Sequence, residues 1–133
     1  METYAPLVMA DLWISDESNE IFGNVDKADV IYVNDNEVRL FIVSGSIADN
    51  SSTLTHTFQA VGINARVEIR QHLESNPMQW LPYRGQHFIN LNKIECIDFA
   101  NRERPLVFFQ GGNMEVDLVD REAALAIMQG FII

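Results

Sequence analysis

Cysteine occurs once in this chain, at position 96, so no internal disulfide can form and a cytoplasmic location is the expectation. Histidine is scarce as well. His56, His72 and His87 are the three imidazoles, and no two stand at the i, i+4 spacing that holds a metal on one helix face. No apolar run approaches the roughly 20 residues that a membrane-spanning helix requires. The opening residues, Met1 to Pro6, lack the basic region of a secretory signal. No third glycine and no Lys-Ser/Thr pair accompany Gly111-Gly112, which excludes a phosphate-binding loop there.

Basic residues are the other shortage, 9 against 19 acids for a net charge of −10. The excess is concentrated: residues 1–50 carry 10 acids and only Lys27 and Arg39 as bases. Such a field repels phosphate backbones and anionic lipid, so direct nucleic-acid binding and membrane binding are not expected. A protein partner or a second copy of the chain is expected instead, with no cofactor. Hydrophobic residues at 47% and charged residues at 21% exclude a disordered chain. At 133 residues one domain is expected, spanning 1–133, because half that length would make a marginal core.

What is present is a repetition. Shifting the chain by 66 residues places Phe22 on Phe88, Asn24 on Asn90, Lys27 on Lys93, Ile31 on Ile97, Glu37 on Glu103, Leu40 on Leu106 and Gly45 on Gly111. A one-residue gap adds Trp13 on Trp80, the two tryptophans of the chain. Strand patterning alone makes apolar positions coincide, but Asn, Lys and Glu have no such reason to match. The expected fold is therefore α+β and predominantly β. Two degenerate β-rich pseudo-repeats, 1–65 and 66–133, each close in a short helix and pack around one shared core, about an approximate two-fold.

Along the chain, residues 6–14 are expected as a strand, 16–20 as a loop, and 22–25 as a short extended piece. Residues 28–34 and 37–44 are β-branched and aromatic runs joined by Asn34-Asp35-Asn36, which predicts a hairpin. In 53–61, Leu54, Phe58 and Val61 recur at helical spacing while three threonines favour a strand; the Ala-rich stretch 121–129, capped by Asp120 and stopped by Gly130, decides for a helix in both places. Residues 66–74 alternate, with Val67, Ile69 and Leu73 against Arg66, Glu68, Arg70, His72 and Glu74, and predict an amphipathic strand that leaves His72 solvated. Pro77 and Pro82 exclude regular structure from 75–86. Gly111-Gly112-Asn113 reads as a turn, followed by a strand with Met114, Val116 and Leu118 on one side.

Glu115 and Asp117 then share the other side at about 7 Å, a separation that acid/base pairs use but that also describes the wet face of any amphipathic strand. Cys96 aligns with Val30 and reads as a small core residue. The large side chains of residues 78–84, with Trp80, Tyr83 and Arg84 foremost, either tuck into the core or meet a partner, since Trp, Tyr and Arg dominate binding hot spots. The apolar end Phe131-Ile132-Ile133 is expected to dock onto the body or a neighbour. Trp80, Tyr83, Arg84, Phe131, Ile132 and Ile133 are thus the candidate interface.

Residues 88–128, with Ile89-Asn90-Leu91, Ile94-x-x-Ile97, a glycine turn, an amphipathic strand and a closing helix, are similar to the C-terminal part of LytTR-type DNA-binding domains and to small flagellar proteins of the FlbD type. The similarity covers about a third of the chain. LytTR-type domains hold DNA through basic and polar side chains. Lys93, Arg102, Arg104 and Arg121 are outnumbered by acids in this stretch, so no DNA contact is carried over. Three functions are expected in order: a non-enzymatic protein-binding or regulatory module that self-associates, an acidic decoy for a basic nucleic-acid-binding protein, and a small enzyme or ligand-binding protein with a pocket between the halves.

Overall fold

The structure, a computed structural model, describes residues 11–15, 20–35, 37–43, 52–59, 63–100 and 104–132, and for 52–59 and 63–65 the backbone only. The elements run β1 (Trp13–Ser15), β2 (Phe22–Asn24), a 3-10 turn (Val25–Lys27), β3 (Val30–Val33), β4 (Glu37–Val43), β5 (Ser52–Gln59) and α1 (Ile63–Glu74). They continue β6 (Trp80–Tyr83), β7 (His87–Asn90), a second 3-10 turn (Leu91–Lys93), β8 (Ile94–Asp98), β9 (Leu106–Phe109), β10 (Gly112–Glu115) and α2 (Arg121–Gly130). This is a strand-rich α+β chain. Its described strands form a pair β1-β2, a three-stranded sheet β10-β9-β8 and a five-stranded sheet β5-β4-β3-β7-β6.

The five-stranded sheet divides the interior because its side chains alternate faces. Ile31 and Val33 of β3, Phe88 of β7 and Trp80 of β6 face one cluster, with Ile69 and Leu73 of α1. Val30, Ile89, Leu81 and Tyr83 face the other, with Val107 and Phe109 of β9 and Ala124 of α2. The β3–β4 hairpin forms where the Asn-Asp-Asn turn predicts it: the Glu37 N–H donates to Asn34 Oδ1 at 2.8 Å, and Val33 lies opposite Val38. Helix α2 begins as predicted, with Asp120 Oδ1 accepting the Ala123 N–H at 3.0 Å.

Two elements exchange their expected types, in opposite senses. Residues 53–59 do not form a helix, and 60–61 lie outside the described residues; β5 occupies Ser52–Gln59 and pairs antiparallel with β4. Residues 66–74 are not a strand; they belong to α1. Ile69 and Leu73, four apart, are both buried, whereas Val67 is 48% exposed. One turn of apolar spacing therefore sufficed for the helix, and the alternation that Val67 completed was incidental. The Arg70 stem adds to the packing, its guanidinium 5.9 Å from the Phe88 ring and donating to the Val33 carbonyl at 2.7 Å.

Residues 75–86 also hold a strand that the prolines argued against. Pro82 sits in β6, the edge of its sheet, where a missing N–H costs nothing. The turn into β7 then uses Arg84 and Gly85 at φ of 54° and 78°. Strand β10 stops at Glu115, short of the expected 118, although Leu118 still bridges to Tyr83. The expected strand at 6–14 falls partly outside the described residues, and β1 covers only Trp13–Ser15. Cys96 is exposed on β8 and is not the core residue expected.

Gly111 reads as a turn residue, and the structure adds a packing reason for it. A Cβ at Gly111 would stand 2.8 Å from the Val43 carbonyl oxygen, a backbone atom that cannot rotate away. Gly111→Ala is expected to lower stability by about 1–3 kcal/mol, read as a shifted midpoint in urea denaturation. Gly130→Ala, with nothing within 4 Å of the added carbon, is the control that should not.

Candidate functional site

Three places on the described chain concentrate chemistry or exposed apolar surface. The first is a cavity of about 160 Å³ between the five-stranded sheet and β10, bordered by Tyr83, Arg84, His87, Met114 and Glu115. Strand register builds it. Tyr32 of β3 and Tyr83 of β6 both lie opposite His87 of β7, and their rings flank the imidazole at centroid distances of 4.7 and 5.0 Å. Arg39, opposite Tyr32 on β4, lays its guanidinium 5.2 Å from that ring and pairs with Glu37.

Burial lowers the His87 pKa, and the positive charges of Arg84 and Arg39 lower it further. The imidazole is therefore neutral at physiological pH, with Nδ1 buried and lacking a hydrogen-bond partner. Burial pushes the Tyr83 phenol up to about 12, with Arg84 opposing, so it stays protonated. A neutral ring, a phenol and a guanidinium can bind a small polar ligand. Among the described residues no serine, threonine, cysteine or lysine lines the space, and no three His, Cys, Asp or Glu are placed to hold a metal.

A pH dependence follows from His87. Its folded pKa lies below the ordinary 6.5, so between those values the unfolded chain binds more protons. The stability His87 supports is present above pH 6.5 and is lost as the pH falls through 6.5 towards the folded value. Thermal melts from about pH 8 to about pH 5 should show this decline, and His87→Gln should flatten it.

The second place is a polar knot under α1. His72, expected to be solvated, sits instead on α1 with Nε2 at 3.0 Å from Asp26 Oδ1. Asp26 Oδ2 accepts the Leu12 N–H at 2.7 Å. Asn90 Nδ2 donates to the Asp26 and Ala28 carbonyls at 2.9 and 3.0 Å. An Asp–His pair is part of a hydrolytic triad, yet the nearby Ser75 hydroxyl is committed to the Gln71 carbonyl at 2.6 Å and does not address the ring. The knot holds β1, β7 and α1 together.

The third place is apolar surface. Trp13, Phe22 and Ile42 are 58%, 59% and 41% exposed and border a groove of about 250 Å³ floored by Gly23, Ala28 and Leu40. Ile42 also borders a second groove with Asp29, Lys93, Ile94, Glu95 and Gly111. Asp29 is buried, and burial raises its pKa against the opposing Val43 N–H, donated at 2.9 Å, and the Lys93 charge.

Trp80 and Tyr83, offered from sequence as interface residues, are buried at 1% and 5% exposure. Arg84 is exposed beside them, and Phe131 and Ile132 are exposed at the end of α2. Ile133 lies outside the described residues, as do the side chain of His56 and residues 44–51. Glu115 lines the cavity, while the Asp117 backbone carbonyl accepts the Arg84 N–H at 3.2 Å. The surface that sequence missed is Trp13 with Phe22 and Ile42. Trp13 lies opposite Asn24 as Trp80 lies opposite Asn90, but their burial is unlike. No protein-family model, curated protein or solved structure matches the chain.

Proposed function

We propose that the chain is a non-enzymatic, cytoplasmic protein-binding module made of two copies of one β-rich unit, and that it self-associates. The observation that carries this reading is the clustering of Trp13, Phe22 and Ile42, large and exposed, around one groove. Contiguous apolar surface of this kind marks association sites, whereas single exposed residues do not. Arg84, Phe131 and Ile132 are additional candidate contacts, and the net charge of −10 favours a protein partner over nucleic acid or anionic lipid.

The two-copy reading is supported by element order and by detail. Two strands, a 3-10 turn, three strands and a helix occur in succession twice. Before each turn an asparagine, Asn24 or Asn90, accepts the N–H two residues on at 3.0 Å. The first residue of each turn, Val25 or Leu91, donates its N–H back across the preceding strand pair, to Leu12 or to Gln79. Light scattering over a dilution series should find a dimer or larger assembly. A monomer throughout, with no partner recovered on the immobilised chain, overturns the reading.

A small-ligand function is the second reading, favoured by the His87–Glu115 cavity. Its volume is well below the roughly 300 Å³ of ordinary ligand sites. A thermal-shift response to a small polar ligand that disappears in Arg84→Ala would raise it above the first.

A further inference from the structure

We propose that β8 of one copy pairs antiparallel with β2 of a second copy, with Cys96 opposite Gly23, Ile97 opposite Phe22 and Asp98 opposite Ile21. The proposal rests on the two-unit, self-associating reading above and specifies its contact. The chain already contains one junction of this kind. β3 of the first unit pairs with β7 of the second through Val30–Ile89, Ile31–Phe88 and Tyr32–His87. That junction joins β5-β4-β3 to β7-β6 as the five-stranded sheet.

The remaining sheets are the complementary pieces. Among the described residues β8 pairs only with β9, and β2 only with β1. Joined along the edges that no described strand covers, they give the order β10-β9-β8-β2-β1. Under the offset of 66 residues β4 falls on β9, β3 on β8, β7 on β2 and, with a one-residue gap, β6 on β1; β10 stands beside β9 as β5 stands beside β4. The same offset carries the β3–β7 register onto the register proposed. An open strand edge is a template for another strand.

Charge and burial agree with that register. In the existing junction the Lys93 charge acts on Asp29; the corresponding pair at the new junction is Lys27 with Glu95, again of opposite sign. Asn90 reaches across the existing junction to the Asp26 and Ala28 carbonyls. Its counterpart Asn24 instead donates to the exposed Asp11 carboxylate at 3.0 Å, and at the new junction would face the Asn92 and Ile94 carbonyls. Phe88 is 3% exposed where its junction is filled, and Phe22 is 59% exposed where it is not. Within one chain β2 and β8 do not pair, so a second copy is the occupant. Two copies related by a two-fold give each β2 a β8.

The test uses the native cysteine. Directly opposed Cα atoms in an antiparallel pair stand about 4.5–5.5 Å apart, within disulfide range. In full-length Gly23→Cys, mild oxidation should convert most of the chain to a reducible covalent dimer, and adding Cys96→Ser should abolish it. Because Gly23 is buried, Phe22→Cys with Ile97→Cys in a Cys96→Ser background provides the second pair. Disulfides closing within one chain, seen as a fast-migrating monomer, would overturn the proposal by placing the junction in a single molecule. Absence of cross-linking in both variants, in a protein that light scattering still finds dimeric, would overturn this contact and leave self-association standing. A monomeric wild type would overturn both.

Discussion

Trp80→Ala is expected to destabilise the protein by about 3–5 kcal/mol, and Trp13→Ala by about 1 kcal/mol or less. Trp80 is 1% exposed and packs between β6 and α1 with Ile69, Leu73 and Phe88, so its removal opens a cavity that neighbouring strands cannot close without shearing the sheet. Against a total stability of roughly 5–15 kcal/mol for a chain of this size, such a loss leaves a barely folded protein. Trp13 is 58% exposed, and its truncation removes little buried contact from the single chain. The indole N–H of Trp80 is buried without a partner. Trp80→Phe therefore discards an unsatisfied donor along with some volume, and should cost less than half as much as alanine. Urea melts of the three variants separate these outcomes; equal effects at positions 13 and 80 would contradict the difference in burial.

The ease with which each element could be read from sequence follows from where its determinants lie. The β3–β4 hairpin and the start of α2 were legible because the Asn34-Asp35-Asn36 turn and the Asp120 cap act within a few residues. β5 and α1 were exchanged because residues 63–74 bury only Ile69 and Leu73 as large apolar groups in the described part, too few for a helical period to outweigh an accidental alternation. The supposed equivalence with 121–129 then placed the helix of the first half at 53, ten residues before its start, since the segment from the 3-10 turn to the helix is longer there. Pro82 was read as a breaker because edge position is a property of the sheet, invisible in the strand itself.

Sites were less legible than elements, and for the same physical reason. Tyr32, His87 and Tyr83 meet through strand register, and His72 meets Asp26 across 46 residues of chain. Neither contact has a local signature. Trp13 and Trp80 have matching positions in their strand pairs, yet one is buried because α1 and the five-stranded sheet enclose it. The other lies on the two-stranded β1-β2 pair and is 58% exposed, an outcome set by packing and not by the sequence of its own strand.

Asn90 carries the second large prediction. It is fully buried, and its amide satisfies groups from both halves: Nδ2 donates to the Asp26 and Ala28 carbonyls, while Oδ1 accepts the Asn92 N–H at 3.0 Å. Asn90→Ala strips all three of their partner. At about 1–3 kcal/mol for each buried group left unsatisfied, with some recovered by water, the expected loss is about 3–4 kcal/mol. Asn24→Ala removes the corresponding cap at a partly exposed site and should cost about 1 kcal/mol. Asn90→Asp is the sharper probe. It keeps the acceptor, loses both donors, and sets a carboxylate against two carbonyl oxygens away from water, so at neutral pH it should be at least as damaging as alanine. Burial raises the pKa of such a carboxyl, and its protonated form regains one donor. Measured against wild type at each pH, the Asn90→Asp penalty should therefore shrink as the pH falls from about 7 to about 5, while the Asn90→Ala penalty stays constant. Parallel penalties for the two variants would mean that water reaches position 90 and that the two halves are held together by something other than this amide.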